Sequence, residues 1–118
     1  MGETITIYHN PRCSKSRETL KLLEARGVEP EVVEYLKTPP DEKTLRALLK
    51  KLGIGPRELL RKREKEYKAL GLDNPDLDDA ALIRAMVEHP RLIERPIVVR
   101  GRRAVIGRPP EKVLELLQ

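Results

Sequence analysis

The chain has no tryptophan and no phenylalanine, and its only tyrosines are Tyr8, Tyr35 and Tyr67. A surface for stacking the bases of single-stranded nucleic acid therefore has little to be built from, and no nucleic-acid partner is expected. There is one cysteine, Cys13, which excludes an internal disulfide. Uncharged apolar runs stop after a few residues, as at Ile97-Val98-Val99, so neither a membrane span nor a membrane partner is expected. No basic segment followed by an apolar stretch opens the sequence, so no secretory signal is read there and the expected location is the cytoplasm.

What is present suits one folded domain. Of 118 residues, 36% are charged and 39% apolar, enough for a single core beneath a polar surface. Basic residues outnumber acidic ones by 24 to 19, a net charge of +5 that favours anions without choosing among nucleic acid, an oxyanion and an acidic partner. A monomer is the default expectation.

Thr4 to Tyr8 alternates polar and apolar residues with the period of a strand, and Asn10-Pro11 breaks it. Leu20, Leu22, Leu23 and Ala25 then recur at helical spacing from Ser14 to Arg26, stopped by Gly27. Glu31 to Tyr35 reads as a second strand, and a strand–helix–strand unit predicts parallel pairing. The middle is helical: Pro39-Pro40-Asp41 opens a stripe of Leu45, Leu48, Leu49 and Leu52, closed by Gly53. Pro56 to Leu60 starts a short helix expected to run on into the charged stretch Arg61 to Lys68. Asp76 to Asp79 caps another helix bearing Leu82, Ile83, Met86 and Val87. Pro96 to Val99 and Ala104 to Ile106 flank Arg100-Gly101-Arg102-Arg103, read as a four-residue hairpin loop whose arginines face solvent. Glu111 to Leu117 is the closing helix. The order gives a mixed α/β sheet.

The lone cysteine follows a strand directly, where a helix begins. Helix N-termini offer unpaired N–H groups and a partial positive charge, which stabilise both a thiolate and an oxyanion beside it. Arg12, Lys15 and Arg17 add positive potential, and Arg17 is near enough to fold back over the loop. The spacing excludes two relatives of such a site. Tyrosine-phosphatase loops need five residues between cysteine and arginine, whereas Arg17 follows Cys13 after three. A thioredoxin-type dithiol needs Cys-x-x-Cys, and the second position is Ser16.

At these residues the sequence resembles the ArsC family of thioredoxin-fold arsenate reductases that use glutathione and glutaredoxin. The resemblance covers essentially the whole chain. It is carried by Ile7-Tyr8-His9-Asn10-Pro11, Tyr35-Leu36 with Pro39-Pro40, Leu59-Leu60-Arg61-Lys62, Arg95-Pro96-Ile97-Val98-Val99 and Gly107-Arg108-Pro109. It departs at Ser14-Lys15-Ser16, where the best-studied arsenate-reducing branch has small residues. The resemblance implies a thioredoxin-like mixed four-stranded sheet with flanking helices, forming one domain over residues 1–118 with a helical insertion at about 41–93. It implies Cys13 as nucleophile, His9 as the histidine that helps activate it, and Arg61, Arg95 and Arg108 as oxyanion-binding arginines. Ser14, Ser16, Arg17 and Pro96 support the site, and the Arg95–Pro96 bond is expected to be cis. No metal and no bound cofactor are expected, since two histidines and one cysteine at these distances make no metal site. Glutathione enters as co-substrate and glutaredoxin as partner, with arsenate or a similar oxyanion as substrate. Two other functions fit the same fold. One is a general glutathione-dependent thiol oxidoreductase with no arsenic role. The other is a Spx-type regulator of RNA polymerase, whose usual Cys-x-x-Cys Ser16 removes.

Overall fold

The computed structural model describes residues 4–118. The chain divides into two compact units, one running to Thr38 and resuming over Arg95–Gln118, the other Pro39–Glu94.

The first unit is built on a four-stranded sheet, Ile5–His9 (β1), Glu31–Glu34 (β2), Ile97–Arg100 (β3) and Arg103–Ile106 (β4), in the order β2-β1-β3-β4. The Ser14–Ala25 helix (α1) links β1 to β2, which pair in parallel, with His9 opposite Glu34. β3 runs antiparallel to both β1 and β4. Alternation along β1 buries Ile5, Ile7 and His9 and leaves Thr6 and Tyr8 half-buried. Ile5 and Ile7 join Leu23 of α1, Val98 of β3, and Val113 and Leu116 in one apolar cluster. His9 is therefore the polar end of an otherwise hydrophobic face.

The inner stripe of α1 has the same character. Its buried residues are Ser16, Thr19 and Leu23, spaced three and four apart. The leucines Leu20 and Leu22, which the periodicity selects for the core, only pack partly buried against it. Toward its N-terminus the helix buries hydroxyls instead of methyl groups.

Three sequence expectations are corrected. The β3–β4 loop is two residues, because Arg100 pairs with Arg103. Gly101 takes φ +61° while, among the described residues, no non-glycine residue has positive φ, the pattern of a type II′ turn. Arg102 and Arg103 are exposed as expected, but two of the arginines also bond the chain: half-buried Arg100 donates to the carbonyl of Leu116, and Arg103 to those of Glu115 and Leu116. They thus satisfy carbonyls at the end of the closing helix, Pro110–Leu117, which is a 3₁₀ rather than an α-helix.

The second unit carries four α-helices: Glu42–Leu52 (α2), Pro56–Leu59 (α3), Lys65–Ala69 (α4) and Asp79–Glu88 (α5). The Asp41 and Asp78 carboxylates cap α2 and α5, and Gly53 ends α2 in the left-handed conformation. The third correction lies here. α3 does not continue into the charged stretch, because Leu60 turns extended and bridges Ile93.

In the first unit Gly107 packs directly against Thr19 and Pro96. A Cβ there would lie 2.6 Å from Thr19 Oγ1 and 2.9 Å from Pro96 Cγ. Gly107→Ala is therefore expected to cost about 1–3 kcal/mol of unfolding free energy in a denaturant titration. The loss should shrink in a Thr19→Ala background, where the nearest obstructing atom is gone.

Candidate active site

The site grows from the end of β1. Asn10 begins a tight loop in which its carbonyl accepts the Cys13 N–H (3.0 Å) and its side-chain oxygen accepts the Arg12 N–H (3.0 Å). Cys13 is the N-cap of α1, extended at φ −95° and ψ 123°, and its carbonyl accepts the first helical bond from Arg17. Its sulfur thus stands at the open N–H groups of the first turn, where an anion is favoured. Arg17 folds back, its guanidinium donating to the Pro11 carbonyl at 3.0 Å. Ser14 is exposed at the start of the helix.

Ser16 ties the loop to the sheet. Its buried hydroxyl accepts the Asn10 N–H (3.0 Å) and lies 2.6 Å from His9 Nδ1. With Asn10 supplying one proton to that oxygen, the hydroxyl's own hydrogen is free to reach a neutral imidazole. The link from His9 to Cys13 therefore runs through Ser16. Burial pushes the His9 pKa down; Glu34 opposes that shift and Arg17 adds to it. The net direction favours the neutral ring.

The opposite wall comes from the β3–β4 hairpin. The ladder ends at Ile97 opposite Ile106, and the Gly107 N–H then donates to the Pro96 carbonyl at 2.9 Å. That extra bond sets Arg95 and Arg108, the next residues outward, against each other. Arg108 donates to the Arg95 carbonyl at 3.2 Å and stands 3.9 Å from Cys13 Sγ. The Arg95–Pro96 peptide is cis, and so is Arg108–Pro109.

These donors act on the sulfur. Burial alone raises the Cys13 pKa, but it is outweighed. The Ser16 N–H donates to the sulfur, Arg95 contributes a side-chain hydrogen bond and its charge, and the Lys15 N–H adds a further donor. The net shift is downward, toward thiolate.

The structure thus brings Cys13, His9, Ser16, Arg95, Pro96, Arg108 and Arg17 to one end of the first unit. Arg61 lies in the second unit, where it is held by carboxylates, Glu94 at 2.7 Å and Glu64 at 3.3 Å. Three contributors escape a reading for chemistry. Asn10 looks like a strand breaker, Thr19 like a surface threonine and Gly107 like a turn glycine. The sequence signal for Thr19 was its place on the Ser16–Leu23 stripe.

A model of the ArsC family matches residues 8–116. The chain belongs to the ArsC family. It is 53% identical over 114 residues to an arsenate reductase of Neisseria meningitidis, covering 96% of this chain and 97% of that one. It is 60% identical over 118 residues to the uncharacterized protein YfgD of Escherichia coli K12, covering 99% of each. Among solved structures, an arsenate reductase from Vibrio cholerae superposes with a TM-score of 0.94 at 52% identity, covering 98% of both chains. This ArsC-family chain shares the thioredoxin-like fold of those structures.

Two outcomes follow from the site's electrostatics. Arg95→Gln should slow alkylation of Cys13 by neutral iodoacetamide about tenfold at neutral pH, and move the rate–pH midpoint upward. For His9, the folded pKa lies below the ordinary imidazole value of about 6.5, so the unfolded chain binds the extra proton first. Its contribution to stability is present above that value and lost as pH falls through the folded pKa. Denaturant midpoints measured from pH 7.5 to 5 should fall less steeply in His9→Asn than in the parent.

Proposed function

We propose that this chain is an arsenate reductase acting through the single nucleophile Cys13, resolved by glutathione and glutaredoxin. The observation that carries the reading is a part-exposed sulfur at a helix N-cap with the Arg95 and Arg108 guanidinium groups against it. Arsenate is an anion close in shape to phosphate, and its charge repels an approaching thiolate. Planar, permanently ionised guanidinium groups grip such oxygens in pairs and offset that repulsion. The arsenate reductases of Neisseria and Vibrio that this chain resembles support the same reading.

The Cys13 thiolate forms a sulfur–arsenic(V) bond as one arsenate oxygen leaves, protonated, as water. A glutathione thiolate then attacks. The two sulfurs join in a Cys13–glutathione disulfide, and their electron pair reduces arsenic(V) to arsenic(III), released as arsenite. Glutaredoxin takes the glutathionyl group by thiol exchange and regenerates Cys13. His9 and Ser16 position the loop and its thiol.

The test is purified protein with glutathione, glutaredoxin and an NADPH-coupled reductase. NADPH consumption should begin on adding arsenate and be absent in Cys13→Ser. Consumption no higher than in that variant would overturn the arsenate reading and leave a thiol oxidoreductase without arsenic chemistry or a Spx-type regulator. Arg108→Gln should raise the arsenate KM about tenfold, the worth of a charged hydrogen bond, with little change in exchange with a neutral disulfide. Equal losses with both substrates would instead place Arg108 in the fold.

A further inference from the structure

Beside the nucleophile loop lies a cavity of about 200 Å³ lined by His9, Asn10, Pro11, Arg12, Glu34, Leu36 and Lys37. It sits at the C-terminal ends of β1 and β2, where the parallel register sets His9 beside Glu34. Its floor includes the buried polar residues His9 and Asn10, while Leu36 is an exposed apolar side chain at 39%. Arg12 is the residue before Cys13, so an occupant of this cavity borders the nucleophile loop. Its charged groups are two cations, Arg12 and Lys37, and one carboxylate, Glu34. Lys37 Nζ stands 3.4 Å from Glu34, with side-chain exposures of 77% and 40%. Such an exposed pair contributes little and opens readily to a ligand.

We propose that this cavity holds the resolving thiol, a small peptide carrying two carboxylates and one ammonium group, as glutathione does. The charges match in number and sign: Arg12 and Lys37 receive the carboxylates, Glu34 the ammonium, and Leu36 with Pro11 the apolar stem. This rests on the reading of Cys13 as a nucleophile resolved by glutathione, and adds where that tripeptide binds. A second groove on this unit fits less well. It is larger, about 470 Å³, but its two lysines, Lys15 and Lys21, are matched by Glu18 and Glu111, and it borders neither His9 nor the loop before Cys13.

The step that reports on the cavity is exchange with glutathione disulfide. The Cys13 thiolate attacks one sulfur, the Cys13–glutathione bond forms as the glutathione S–S bond breaks, and the second glutathione leaves as thiolate. Single-turnover rates are measured with glutathione disulfide and with uncharged hydroxyethyl disulfide, and their ratio cancels any change in Cys13 reactivity. Arg12→Gln/Lys37→Gln should lower that ratio about three- to tenfold at low ionic strength, and the loss should shrink as salt is raised. Lys21→Gln, in the other groove, should leave it unchanged. An unaltered ratio in the double variant, or an equal fall in Lys21→Gln, would overturn the proposal. Protection of Cys13 from iodoacetamide by arsenate is measured on the same variants. Protection lost in the parent, with the ratio still falling in the double variant, would remove arsenate as substrate and leave the thiol site standing.

Discussion

The structure turns on one unfavourable placement, a sulfur meant to carry negative charge in a partly buried position. Burial by itself holds Cys13 as a thiol, since removing a charge from water is costly. The chain answers with donors fixed by backbone geometry: the Ser16 and Lys15 N–H groups at the start of α1, and the Arg95 guanidinium. Two of these are main-chain groups, which only a proline substitution removes directly. What substitution can disturb is the loop that brings the sulfur to them, and that loop is bonded at Asn10, Pro11, Cys13 and Ser16.

The arginines depend on the sheet in a comparable way. Arg95 and Arg108 flank a ladder whose register runs through Ile97 and Ile106 and extends by one bond to Pro96 and Gly107. A one-residue slip would send one guanidinium to the other face. Gly107 guards that register, because any side chain there would meet Thr19 and Pro96. Both arginines stand beside the Cys13 sulfur, so their charges favour a thiolate there.

The α/β class, the parallel β1–β2 pair and the strand–cysteine–helix junction were legible because each rests on local signals. Alternation marks β1, Gly27 ends α1 at positive φ, and Asp41 and Asp78 cap their helices. The failures came where tertiary contacts overrode local pattern. The inner face of α1 is polar near Cys13 because Ser16 and Thr19 bond to His9 and to Gly107, so counting leucines finds Leu23 but misses the rest of the stripe. Arg100 and Arg103 read as solvated hairpin charge, yet they bond the carbonyls of a helix end sixteen and thirteen residues later. Leu60 leaves the helical pattern to bridge Ile93, a pairing that no local signal announces. The cation-lined cavity was illegible for the same reason, since Arg12 and Lys37 meet only through the register of two strands.

On the proposed redox chemistry, Ser16 leaves the resolving thiol to come from outside the chain. It occupies the position at which a dithiol enzyme keeps its second cysteine, and it is fully buried, so it is not idle surface. Its hydroxyl serves two partners at once, the Asn10 N–H and the His9 ring. A thiol is a weak donor and a weak acceptor and could not hold both at these distances. The atom that shapes the loop and the atom that would resolve a Cys13 disulfide therefore compete for one position, and in this chain the loop has it. A disulfide formed at Cys13 can be opened only by a thiol arriving from another molecule, which requires the sulfur to stay reachable. Cys13 meets that condition by being only partly buried: Arg95 acts on the sulfur, Arg108 stands 3.9 Å from it, and part of its surface stays open to solvent.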